Sequence, residues 1–196
     1  MKYLLSFLLS LVLFLPIAAQ TIGLKCNTAF SSLEQSEYET GAAVFVGIND
    51  FSEKVEVLFS VDFNKSNTVI KDGKERSYTR TFFNATGLYV LPIAEKLKFK
   101  TGISITHENI HMTQRGAVSN WIQDYYSKYL GVGIASNLQF QKIFKLPLNF
   151  DVFVTPSWLK NIHVEREPFK SNYKNANYLF VLNVQLGVAY VIDMGK

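Results

Sequence analysis

Apolar residues recur at every second position along most of the chain. The clearest run lies near the C-terminus. There Tyr178, Phe180, Leu182, Val184, Leu186, Val188, Tyr190 and Ile192 line up on one side, with Asn183, Gln185, Gly187 and Ala189 between them. A period of two places alternate side chains on opposite faces of an extended strand, whereas a helix would scatter the same residues around its circumference. Residues 53–64 repeat the pattern, with Val55, Val57, Phe59, Val61 and Phe63 alternating with Glu56, Leu58, Ser60, Asp62 and Asn64. Six more segments alternate in the same way, at residues 21–30, 38–49, 78–91, 97–107, 126–140 and 146–158. The phase of 78–91 is blurred because Phe82 adjoins Phe83; the pattern favours Phe83, Ala85, Gly87, Tyr89 and Leu91 on the apolar side.

Eight strands of about ten residues each are the length needed to cross a bilayer at a tilt. Their connections alternate between short turns and long polar stretches at 64–77, 108–125 and 159–176. That is the rhythm of an antiparallel up-and-down barrel with tight turns at one end and long loops at the other. Two barrels share this rhythm. In an eight-stranded transmembrane β-barrel the apolar faces point out into lipid; in a secreted lipocalin-like barrel they point inward. The sequence favours the first. Aromatic residues stand near both ends of the apolar faces, as in the belts at membrane–water interfaces. The opposite faces are rich in Gly, Ala, Ser and Asn, which suit a crowded interior.

Composition agrees. The chain has 196 residues, enough for one domain; 14% are aromatic and only 18% charged. After the first twenty residues there is no apolar run long enough for a membrane helix. Those first residues have Lys2, an apolar stretch over 4–17 and then Ala18-Ala19-Gln20, the pattern of a secretory signal peptide. The expected division is a signal peptide at 1–19 and a barrel domain at 20–196. The single cysteine, Cys26, rules out an internal disulfide and falls on an apolar face. The formal charge of +4 is dispersed, so no nucleic-acid partner is indicated.

The polar faces carry Lys25, Lys98 and Lys100 against Glu56, Asp62 and Asp151. An eight-stranded barrel is just wide enough to be filled by its own side chains, and ions held there must pair or meet water. These six residues are a candidate internal ion-pair plug. Among the long connections, 108–125 holds Arg115, Trp121, Asp124 and Tyr125, a mixture of aromatic and charged groups suited to an interface. His107, His111 and His163 have no metal-site spacing on a strand, no Ser/His/acid set is evident, and no glycine-rich phosphate loop exists. The sequence therefore indicates no catalytic residues, metal or cofactor.

Two resemblances add to this. Gln185-x-Gly187-x-x-Tyr190-x-Ile192 resembles the C-terminal recognition signal of bacterial outer-membrane β-barrels. Leu91-Pro92-Ile93, followed by Lys96-Leu97-Lys98-Phe99 and Gly102, resembles the strand-turn-strand centre of the PorT-like outer-membrane barrels of Gram-negative envelopes. The likeness implies residence in the cell outer membrane, contact with its lipid, and handling by the barrel-assembly machinery during insertion. Most members of that family have no assigned activity. The expected role is non-enzymatic, structural or interactive, with extracellular loops meeting an envelope or extracellular protein. A rim-active lipid-modifying enzyme, a narrow solute channel, a secretion accessory and a lipocalin-like binder are the alternatives.

Overall fold

The computed structural model describes residues 19–31, 39–49, 54–66, 69–71, 74–116, 122–142, 146–166 and 177–193. The proposed signal peptide therefore lies, but for Ala19, outside the described residues. Among the described residues there are nine strands: β1 (Ala19–Ser31), β2 (Glu39–Asn49), β3 (Val55–Ser66), β4 (Val69–Lys71), β5 (Lys74–Ala94), β6 (Leu97–Gly116), β7 (Ile122–Phe140), β8 (Leu148–Arg166) and β9 (Tyr178–Asp193). β4 only extends the β3–β5 connection, pairing Val69 with Arg76. The other eight form a closed antiparallel ring in the order β3-β2-β1-β9-β8-β7-β6-β5, shut by β3 on β5.

The stagger of the ring follows from its register. Cross-strand partners lead from Val55 to Tyr89, Thr101, Ser136, Val154, Val184, Thr28 and Thr40, and return to β3 at Lys65. The circuit comes back ten residues further up the same strand (65 − 55). Such shear tilts eight strands by about 40° from the axis, the usual tilt of small barrels.

The predicted faces of all eight strands hold. Leu24, Val44, Ile103, Ile105, Val132, Ile134 and Leu186 are exposed on the outside. Phe82, whose position blurred the phase of its strand, is fully buried, while Gly87, Tyr89 and Leu91 point out. Inside, bulk and smallness alternate. Phe45 sits opposite Gly23, and a Cβ there would lie 2.4 Å from the Phe45 ring. The glycine leaves room for the ring to lie across the neighbouring strand.

The strands overrun their predicted ends on one side. β6 continues to Gly116, β7 starts at Ile122 and β8 reaches Arg166. Much of what the sequence presented as polar loop is thus paired strand. Beyond the membrane the outward face meets water, so polar residues such as His111 and Thr113 occupy outward positions and apolar alternation no longer marks the strand.

Candidate functional site

The interior is built in layers. Near the terminal end of the barrel, where β1 starts and β9 stops, Lys100 Nζ donates to Glu56 Oε2 at 2.5 Å, with the two side chains 4% and 2% exposed. Beside them Asp151 Oδ1 accepts from Asn137 Nδ2 and Gln139 Nε2, each at 2.9 Å. Lys98 lies two residues nearer the mouth and is half-buried.

Midway, the Lys25 ammonium sits 3.7 Å from the centre of the Phe153 ring and 4.5 Å from that of Phe45. It donates to Gln185 Oε1 at 3.2 Å. The other end of that amide, Gln185 Nε2, donates to Asp62 Oδ2 at 2.7 Å, and Asn84 Nδ2 reaches the same oxygen at 3.2 Å. Lys25 and Asp62 thus meet through an amide. A cavity of about 20 Å³ lies among Lys25, Asp62, Asn84 and Gln185, room for about one water molecule.

Toward the other end stands a layer that sequence reasoning did not assemble. Arg80 Nη1 donates to Glu39 Oε1 at 3.0 Å, and Arg80 Nε donates to Glu108 Oε1. All three side chains are 0% exposed. The Arg80 guanidinium lies 5.0 Å from the centre of the Phe82 ring, and Phe82 belongs to a buried apolar cluster with Tyr129, Leu159, Leu179 and Val181. The signals were partial. Glu39 falls on the polar phase of its strand, Arg80 precedes the blurred Phe82-Phe83 step, and Glu108 lies in a stretch whose composition reads as a connection. Continuing the inward series Ser104, Thr106 by one more step reaches Glu108.

Above this layer the strands of the β5–β8 side rise as a rim. Arg115 is exposed at the end of β6. Asp124 Oδ1 accepts from the Thr113 hydroxyl at 2.8 Å and lies 3.0 Å from His111 Nε2. The Thr113 hydrogen bond and then His111 hold the Asp124 carboxyl below the usual carboxylate range. The His111 ring stacks on Tyr126 at 4.5 Å and 4°. Tyr125 departs from the sequence expectation of a loop interface. It pairs with Met112 and is 5% exposed, because β7 has already begun and odd positions there point inward. Trp121 lies outside the described residues. Among the described residues no group of three or more His, Cys, Asp or Glu could hold a metal.

On the outside, Tyr89, Phe140 and Tyr190 ring the terminal end, and Phe30, Phe63, Trp158 and Phe180 ring the other, with aliphatic side chains between. A continuous apolar exterior of this size belongs in lipid rather than water. The lipocalin arrangement is excluded, because the apolar faces point out and the polar faces in. A closed barrel satisfies every ladder hydrogen bond inside a bilayer. Fold and faces together define a small transmembrane β-barrel of the outer-membrane type.

No protein-family model matches the chain, and no curated protein matches it. Solved structures do. Neisserial surface protein A superposes with a TM-score of 0.59 at 11% identity, covering 88% of this chain and 95% of that one. A major outer membrane protein of Thermus thermophilus gives 0.59 at 13% identity, covering 88% and 99%. Ail, the attachment invasion locus protein of Yersinia pestis, gives 0.54 at 12% identity, covering 90% and 99%. At these identities the likeness is one of fold.

Proposed function

We propose that the protein is a non-enzymatic barrel of the cell outer membrane whose filled lumen anchors a raised rim for contact with an envelope or extracellular partner. The observation that carries this reading is the Arg80–Glu39–Glu108 layer, fully buried inside the barrel above a cavity with room for about one water. With the lumen filled by its own side chains, recognition falls to the outer surfaces. Among the described residues the strands β5 to β8 extend furthest on this side, and they bear Arg115 and Asp124. In this reading the rim faces the cell exterior, residues 1–19 are removed on export, and outer-membrane lipid surrounds the apolar exterior. The terminal strand guides insertion through the barrel-assembly machinery, and the PorT-like resemblance around Leu91-Pro92-Ile93 fits the same setting.

The test combines conductance and capture. Purified protein in a planar bilayer is expected to give no steady single-channel current. Deleting residues 114–123 is expected to leave a heat-modifiable barrel and to remove proteins co-purified from intact outer membranes. Steady conductance would establish a channel instead, and altered lipid A in mass spectra of cells carrying the protein would establish a lipid-modifying enzyme.

A further inference from the structure

A basic patch stands on the outer face of β7 and β8, immediately above the aromatic ring formed there by Trp158 and Phe180, whose centroids are 5.4 Å apart. Lys128, Lys160 and His163 are all exposed. Register places Lys128 between Asn109 and His163, and Lys160 between Leu130 and Tyr178. The two lysines are therefore diagonal neighbours on one face, within reach of a single ligand group.

A β-bulge completes the patch. Tyr129 pairs with Asn161, but Lys128 pairs with His163, so Ile162 is the extra residue. Without the bulge Ile162 would stand opposite Lys128; with it, the histidine does. Bulges re-aim side chains in this way. Neither lysine is in an ion pair among the described residues. Among the described residues Asp124 is engaged by Thr113 and His111, and the backbone of Glu165 registers with Tyr126, two residues along β7 from Lys128. On the far flank outward positions include Phe30, Thr40 and Phe63, and among the described side chains there Lys65 is the one lysine. Positive charge is thus gathered on one side, at the depth where an interfacial aromatic ring places lipid headgroups.

We infer that Lys128, Lys160 and His163 form a site for the anionic headgroup of a phosphorylated lipid in the surrounding leaflet. The inference rests on the membrane reading above. Juxtamembrane cations attract anionic headgroups, and lysine serves phosphate as a point charge. Trp158 and Phe180 would pack against the acyl chains beneath.

The experiment is native mass spectrometry of the full barrel, exchanged from micelles containing lipid A and scored for retained lipid. Wild-type protein is expected to retain bis-phosphorylated lipid A, and Lys128→Gln/Lys160→Gln to lose roughly ten-fold or more of it. Lys65→Gln on the far flank and Lys128→Arg/Lys160→Arg are expected to retain it. Dephosphorylated lipid A should be held weakly by every form. Undiminished retention by the Gln pair, equal loss in Lys65→Gln, or equal retention of the dephosphorylated lipid would overturn the site. Should the Gln pair fail to fold, the Arg pair and the dephosphorylated lipid decide. Gel mobility before and after boiling separates the two levels. A heat-modifiable barrel without selective retention removes only the lipid site, whereas a chain that needs no detergent removes the membrane reading with it.

Discussion

The lumen holds charge in two ways. In the upper layer Arg80 touches both Glu39 and Glu108 directly, with all three side chains out of contact with solvent. In the middle layer Lys25 touches no carboxylate among the described residues; it lies against two phenylalanine rings and reaches Asp62 through the Gln185 amide. The upper arrangement concentrates everything on one guanidinium, so its loss strands two buried anions. The middle one spreads the charge over amides and rings, and each member keeps other partners when one is removed. Buried ions become tolerable by direct pairing or by distributed hydrogen bonding, and the two routes differ in how they fail.

The largest expected effect tests the first route. Arg80→Met should destabilise the barrel by about 3–5 kcal/mol, the cost of breaking a buried ion pair from one side. It is read as a lower urea midpoint for the heat-modifiable form. Adding Glu39→Gln and Glu108→Gln to that variant should recover most of the loss; no recovery would show that packing of the arginine, not its charge, holds the layer.

Next comes the direct pair at the terminal end. Lys100→Met and Glu56→Gln should each destabilise, and the double variant should fall short of their sum by about 1–3 kcal/mol, the coupling of groups in contact. Additive losses would mean that water at the mouth already screens the pair.

Lys25→Met sharpens the contrast from the other side. Asp62 keeps its donors from Gln185 and Asn84, so the variant gives up mainly the contacts of the ammonium with the rings, about 2 kcal/mol. A loss as large as that of Arg80→Met would erase the distinction between the layers.

The smallest effect lies outside the lumen. Asp124 has a lowered pKa, so its contacts with Thr113 and His111 contribute fully above the ordinary carboxylate range. The contribution fades as pH falls through the lowered value. Asp124→Asn should therefore shift the urea midpoint slightly at neutral pH and not at all in strong acid. A difference that grows in acid would contradict the sign.

How much of this the sequence disclosed depended on where each residue stood relative to lipid. Within the apolar band, alternation fixed strand, face and closure, and it placed Lys25, Glu56, Asp62, Lys100 and Asp151 in the interior. Beyond the band both sides of a strand meet polar surroundings, so Glu108 read as loop although it continues the inward series of β6. Arg80 was hidden for a different reason. The phase that puts Phe83 outward also turns Arg80 inward, but the periodicity of one strand does not name Glu39 and Glu108 as its partners. Tyr125 and Met112 show the same limit higher up, where an inward apolar pair passes for loop composition. Partnership across strands, such as Gln185 bridging Lys25 and Asp62, depends on the ten-residue stagger, which no single strand contains.

The ladder between β1 and β9 joins the first and last of the described strands, from Gln20 opposite Ile192 to Ser31 opposite Val181. In time, this makes closure the final act. Until the sixteen residues of β9 are in place, β1 along its whole length and β8 from Leu148 to Lys160 each present a row of unpaired amides. Contacts of such long sequence separation form slowly, and open edges of this kind recruit other chains. The unclosed chain is thus most exposed to misassociation at the moment it holds seven of its eight barrel strands. Residues 178–193 are at once the last piece of the wall and the strand that ends the hazard.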